Sequence, residues 1–138
     1  MQKENTQQMP KINYATDITD DMKEAKKDYL DRHTPHVVAP DRVQKGEPFA
    51  VTVKMGRDYV HPDVVDHHIQ TLQLFNGDTL LATATYNPGA TTGGMDEAKG
   101  YTQVTFQISL GRKGKLTAMS YCTKHGLWVS EEKIVEVE

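Results

Sequence analysis

From Phe49 onward, apolar residues fall on alternate positions in several separate runs. Phe49, Val51, Val53 and Met55 form one run, Val104, Phe106, Ile108 and Leu110 another, and residues 69–75 read in the same way. A period of two places successive side chains on opposite faces of an extended strand, so each run has a single face to bury. Turn signals separate the runs: Lys45-Gly46-Glu47-Pro48, Asn76-Gly77-Asp78, Asn87-Pro88-Gly89, Thr92-Gly93-Gly94 and Gly111-Arg112-Lys113-Gly114. Asn76-Gly77 between two apolar runs is a hairpin signal. The last strands are expected at residues 115–121 and 133–138. About seven short strands at this spacing predict an all-β fold, an immunoglobulin-like antiparallel β-sandwich.

The chain before residue 36 follows a different pattern. Asp20 and Asp21 precede Lys23, Lys26 and Lys27, and Met22, Ala25 and Tyr29 share one face at helical spacing. Acidic residues at the start and basic ones later complement a helix dipole, which predicts a short helix from Thr19 or Asp20. Pro35 pushes the chain toward extended geometry, so the helix should stop near Asp31. Residues 1–16 are polar and expected to be mobile. On this reading residues 1–30 are a polar extension with a short helix, and residues 31–138 are the sandwich domain.

A chain of 138 residues, 37% of them hydrophobic, can bury a core without disulfide staples. The formal charge of -3 offers no electrostatic reason to bind nucleic acid. No apolar run is long enough to span a membrane. Met1 to Gln8 contain no apolar core of a secretory signal, so a cytoplasmic protein is expected. One cysteine cannot form an internal disulfide.

That cysteine is Cys122, three residues before His125 in Ser120-Tyr121-Cys122-Thr123-Lys124-His125-Gly126-Leu127-Trp128. A thiolate and an imidazole at this spacing can reach one metal ion from a single turn. A second cluster, His61-Pro62-Asp63-Val64-Val65-Asp66-His67-His68, lies upstream, and Arg32-His33-Thr34-Pro35 lies earlier still. Singly these signals are weak, since one histidine in about twenty placements falls three after a given cysteine by chance. His67 and His68 on one strand would point to opposite faces. Together, four of the six histidines occupy three loop-like segments that a sandwich can gather at one end. Several imidazoles with one thiolate suit iron, copper or zinc and exclude calcium and magnesium. Five such ligands with a sixth position open favour redox chemistry over a structural zinc.

Longer stretches carry a resemblance. Lys113-Gly114-Lys115-Leu116, Ala118, Ser120-Tyr121-Cys122 and His125-Gly126-Leu127-Trp128 resemble the C-terminal signature of the superoxide reductases. His61-Pro62 through His67-His68-Ile69 resembles their histidine loop, and Ala39-Pro40, Val43 and Gly46-Glu47-Pro48-Phe49 follow their early strands. The resemblance spans residues 31–138. It implies one iron held by four equatorial histidines and an axial cysteine, here His33, His61, His67, His125 and Cys122. His36 and His68 match no ligand position and read as surface or packing histidines. The extra cysteine-bearing domain of some members is missing, which resembles the one-iron, neelaredoxin-like class. The implied reaction is one-electron reduction of superoxide to hydrogen peroxide, with an outside donor such as rubredoxin re-reducing the iron. Homotetramers are common in this class, and backbone N–H groups between Thr123 and His125 are expected to hydrogen-bond the sulfur.

Two departures bear on that reading. The family carries Glu-Lys before its first histidine, where this chain has Asp31-Arg32. The glutamate fills the sixth position of the oxidised iron, and Asp31 is one methylene shorter. Arg32 keeps the positive charge that attracts superoxide but is too weak an acid to relay protons. Lys124 stands where the family often has an apolar residue, either as a second cation beside the metal or as a solvated lysine at a loop tip. Asp31, Arg32 and Lys124 are thus the candidate catalytic residues around the five ligands. The competing functions are a weakly active or non-catalytic iron protein for electron transfer, and an interaction module with incidental histidines.

Overall fold

The structure, a computed structural model, describes residues 9–95 and 99–138. In chain order these form β1 (Ile12–Tyr14), a 3₁₀ turn (Ala15–Asp17), α1 (Asp20–Ala25), α2 (Lys27–His33), β2 (Pro35–Val38), β3 (Arg42–Val43), β4 (Phe49–Met55), β5 (Ile69–Asn76), β6 (Thr79–Thr85), β7 (Gln103–Ile108), β8 (Gly114–Cys122), β9 (Gly126–Val129) and β10 (Lys133–Val137). Two sheets stack as the alternation predicts. The smaller has the order β2-β4-β7; the larger is centred on β8, which pairs with β5, β9 and β10.

The core lies between them. Val51, Val53 and Met55 of β4 meet Leu72 and Leu74 of β5, Leu116 and Ala118 of β8, and Val135 of β10. Burying each of the larger side chains is worth about 1.5–3 kcal/mol. On β8 the inward positions are Gly114, Leu116, Ala118, Ser120 and Cys122, so strict alternation brings the cysteine to the end of the buried face. On β5 the alternation fails. The register shifts between Ile69 and Thr71, so Ile69 and Leu72, three apart, are both buried.

The Asn76-Gly77 turn joins β5 to β6, with Gly77 at φ 60 and the Asn76 side-chain oxygen accepting from Lys115 N–H at 3.0 Å. Not every pairing is antiparallel: β1 runs parallel to β9 and β3 parallel to β10. β1 also corrects the expectation of a mobile stretch through residue 16, because Ile12–Tyr14 pair with Leu127–Val129. The first eight residues of that stretch lie outside the described residues.

The expected helix exists but is broken. Thr19 caps it, its hydroxyl accepting from Met22 N–H at 3.2 Å, and Lys26 (φ -131) separates α1 from α2. α2 then runs past Asp31 to His33, across residue 30 where the extension was expected to give way to the domain. Thr34 is extended before Pro35, which opens β2 at once. No helix among the described residues is long and apolar enough to cross a membrane.

Candidate metal centre

His33 was expected in a connection, and the structure instead places it as the last residue of α2. Leu30 and His33 share the helix face that packs onto the sandwich, and His33 is only 1% exposed. Its Nδ1–H donates to the Tyr29 carbonyl at 2.7 Å. His61 lies in the loop after β4, and its Nδ1–H donates to the Pro62 carbonyl at 2.6 Å. Each carbonyl selects a tautomer, and each leaves Nε2 as a bare lone pair.

His67 does not open β5, which starts two residues later. It closes a tight turn in which Val64 and His67 exchange backbone hydrogen bonds of 3.1 and 3.0 Å. The Cys122-x-x-His125 turn is lashed to this segment: Thr123 N–H donates to the His68 carbonyl at 3.0 Å, and His68 N–H to the Thr123 hydroxyl at 3.2 Å.

The four rings stand at the corners of a square. Centroids of the neighbouring pairs His33–His61, His61–His67, His67–His125 and His125–His33 lie 4.7, 4.7, 4.9 and 4.9 Å apart, each pair steeply inclined. Across the diagonal, His33 and His67 are 6.3 Å apart and only 23° from parallel. Cys122 Sγ lies close by, 3.3 Å from His61 Nε2 and 3.7 Å from His125 Nδ1. Single donor atoms of His33, His67, Cys122 and His125 all lie within 4.8 Å of one another. His61 completes the square, its Nε2 lying 3.3 Å from Cys122 Sγ and 3.1 Å from His33 Nε2. His125, tied closely to the sulfur by sequence, presents Nδ1, 3.1 Å from His33 Nε2 and 3.7 Å from Sγ.

This arrangement fits a metal ion and little else. Two bare lone pairs, His33 Nε2 and His61 Nε2, face each other at 3.1 Å with no proton to share. His67 Nε2 is buried without a hydrogen-bond partner among the described residues. A cation between them removes the repulsion and satisfies every nitrogen. Burial chiefly pushes His33 down to about 4 and His61 down to about 3, with neighbouring imidazoles and Arg32 adding to the effect against the carbonyl bonds. Both rings are therefore neutral at pH 7. Burial raises the Cys122 thiol, while N–H groups of Lys124 and His125 oppose it; the latter donates to Sγ at 3.3 Å.

Arg32 forms an ion pair with Asp28, and its charge is felt at His33, His61 and His67. Lys124 is exposed, and its charge is felt at His67, His125 and Cys122. Asp31 takes no part in the square, its carboxylate being engaged by backbone N–H groups of Arg57, Asp58 and Tyr59. His68 is a buried packing histidine and His36 is half-buried.

Three supporting residues escaped the sequence reading. Trp128 stacks on His33 at 4.9 Å and 22°, and its indole N–H donates to the His125 carbonyl at 3.2 Å. Tyr29 packs its ring against His33, His125 and Trp128. Its place four residues before His33 on a helix was a usable signal. Asp63 accepts from Gly89 N–H, Thr91 N–H and the Thr91 hydroxyl, holding the following loop near His61, where Gly100 N–H donates to the His61 carbonyl at 2.7 Å.

The family model described as desulfoferrodoxin matches residues 19–131. The chain belongs to the desulfoferrodoxin family. Among its relatives, the neelaredoxin of Megalodesulfovibrio gigas is 31% identical over 75% of this chain and 87% of its own. The superoxide reductase of Pyrococcus furiosus is 30% identical over 70% and 85%. Among solved structures, the neelaredoxin-type superoxide reductase of Ignicoccus hospitalis superposes with a TM-score of 0.70 at 28% identity, covering 92% of this chain and 95% of that one. The match takes in the α1–α2 segment, whose last residue supplies one corner of the square.

Proposed function

We propose that the chain is a superoxide reductase in which His33, His61, His67, His125 and Cys122 would hold one iron. The observation that carries this is the square of four imidazoles beside a single sulfur, in which His33 and His61 turn bare Nε2 lone pairs toward each other at 3.1 Å. Iron bound there supplies the single electron that superoxide needs; two protons from solvent complete hydrogen peroxide. Relatives named superoxide reductase support the assignment.

The protein's own groups do the rest. The sulfur, which accepts the His125 N–H of its own turn, would donate electron density to a bound iron as thiolate. Arg32 and Lys124 place positive charge beside the imidazoles, where it would attract the superoxide anion. The re-reducing partner is a small one-electron carrier of rubredoxin type, and the reaction belongs in the cytoplasm, with the chain as a homo-oligomer, as the resemblance implies.

Metal analysis of the purified chain should find about one iron per chain. A superoxide pulse on the reduced protein should yield one peroxide per iron. Loss of superoxide without peroxide would overturn the assignment.

A further inference from the structure

Asp31 stands in the last turn of α2, where the carbonyl end of a helix disfavours a carboxylate. The compensation comes from elsewhere in the chain. Arg57 N–H points at both carboxylate oxygens, at 3.2 and 3.1 Å, and N–H groups of Asp58 and Tyr59 donate at 3.0 and 2.8 Å. Consecutive amides turned toward one anion form a concave nest. The turn that makes this nest is closed around Asp31. Gly56 takes φ +66, and a Cβ there would lie 2.6 Å from the Tyr59 carbonyl and 3.0 Å from that of Asp31. Gly56 N–H donates to the Thr34 carbonyl at 2.9 Å, so both ends of the turn are fastened to the end of α2.

The connectivity gives this fastening its meaning. Asp31 lies two residues before His33, and Tyr59 two residues before His61. The Asp31–Tyr59 bond therefore ties together the bases of two histidines whose Nε2 atoms meet at 3.1 Å. On a helix, two residues correspond to a rotation of about 200°, so Asp31 and His33 leave α2 on opposite sides. We propose that Asp31 is a positioning residue: it sets the spacing of the His33 and His61 corners through the 56–59 turn and leaves the place opposite the sulfur free of carboxylate. This rests on the metal reading above.

Cobalt(II) titration of the metal-free full chain against a competing chelator tests it. The wild-type chain should bind one cobalt, with a thiolate charge-transfer band and d–d bands. Asp31→Ala should weaken binding by about 10–100-fold, and shift the d–d bands while the thiolate band persists. Asp31→Asn, which keeps one acceptor oxygen, should fall between. Gly56→Ala, whose Cβ would press on the Tyr59 and Asp31 carbonyls and lie 3.2 Å from the Asp31 carboxylate while leaving that side chain in the protein, should copy Asp31→Ala and carries the comparison if that variant fails to fold. Wild-type affinity and unshifted bands in Asp31→Ala or in Gly56→Ala would overturn the proposal. So would an Asp31→Ala effect confined to the absorption of the oxidised iron protein, the result expected of a carboxylate ligand. Failure of the wild type to bind cobalt would instead overturn the metal reading itself, and the positioning role with it.

Discussion

Two corners of the metal centre are built in opposite ways. The sulfur corner, Cys122 to Trp128, is local: strand parity on β8 brings Cys122 inward, and His125 follows within one turn. The helical corner, His33 on α2 facing His61, is assembled over a distance of 28 residues through Asp31 and the 56–59 turn. Local construction costs little chain entropy, whereas the distant one holds only while its tether holds. The two corners should therefore fail under different insults.

The largest effect is expected at the sulfur. Cys122→Ala should remove the thiolate charge-transfer band and lower metal affinity by more than about 100-fold, beyond what loss of an outer partner does; chelator competition measures it. A band that survives would show that the sulfur does not face the metal.

Acid should single out the helical corner in the metal-free protein. The unfolded chain takes up protons near the ordinary imidazole value of 6.5, whereas folded His33 waits until about 4 and His61 until about 3. The unfolded state binds more protons in that window, so stability present above pH 6.5 is lost as pH falls toward 4 and then 3. Urea midpoints across this range should decline, and His33→Asn should flatten the decline.

Next comes Gly126, which has φ 86 and would place a Cβ 2.6 Å from the Lys11 carbonyl. Gly126→Ala should cost about 1–3 kcal/mol and speed amide exchange in β1, while the helical corner keeps its protection. The smallest effect is expected from Thr19→Ala, about 1 kcal/mol, through loss of the α1 cap. Cobalt affinity should not change, because Asp31 and not the cap holds α2 in place; a tenfold drop would show that α1 transmits to the site.

The same division explains what the sequence disclosed. The alternation of Val51, Val53 and Met55 and of Leu116, Ala118 and Cys122 is a local signal, and the strands and the sulfur followed it. Period two carries no warning of the β5 bulge, which is fixed by pairing with β8. Polar residues 9–16 looked mobile because β1 has only three residues and owes its order to β9. Asp31 was read beside the metal because Asp31-Arg32 stands where the resembled family carries Glu-Lys before its first histidine. The amides that hold it come from Arg57, Asp58 and Tyr59, and no spacing rule connects them to it.

The burial of Cys122 has a consequence for the protein's endurance. An enzyme that makes hydrogen peroxide exposes its own sulfur to an oxidant that converts thiolates stepwise to sulfenic and sulfinic acids. Here the single thiol has no exposed surface and accepts the His125 N–H of its own turn, so an oxidant in solvent has no open approach to it. The chain offers no second cysteine through which oxidation could spread.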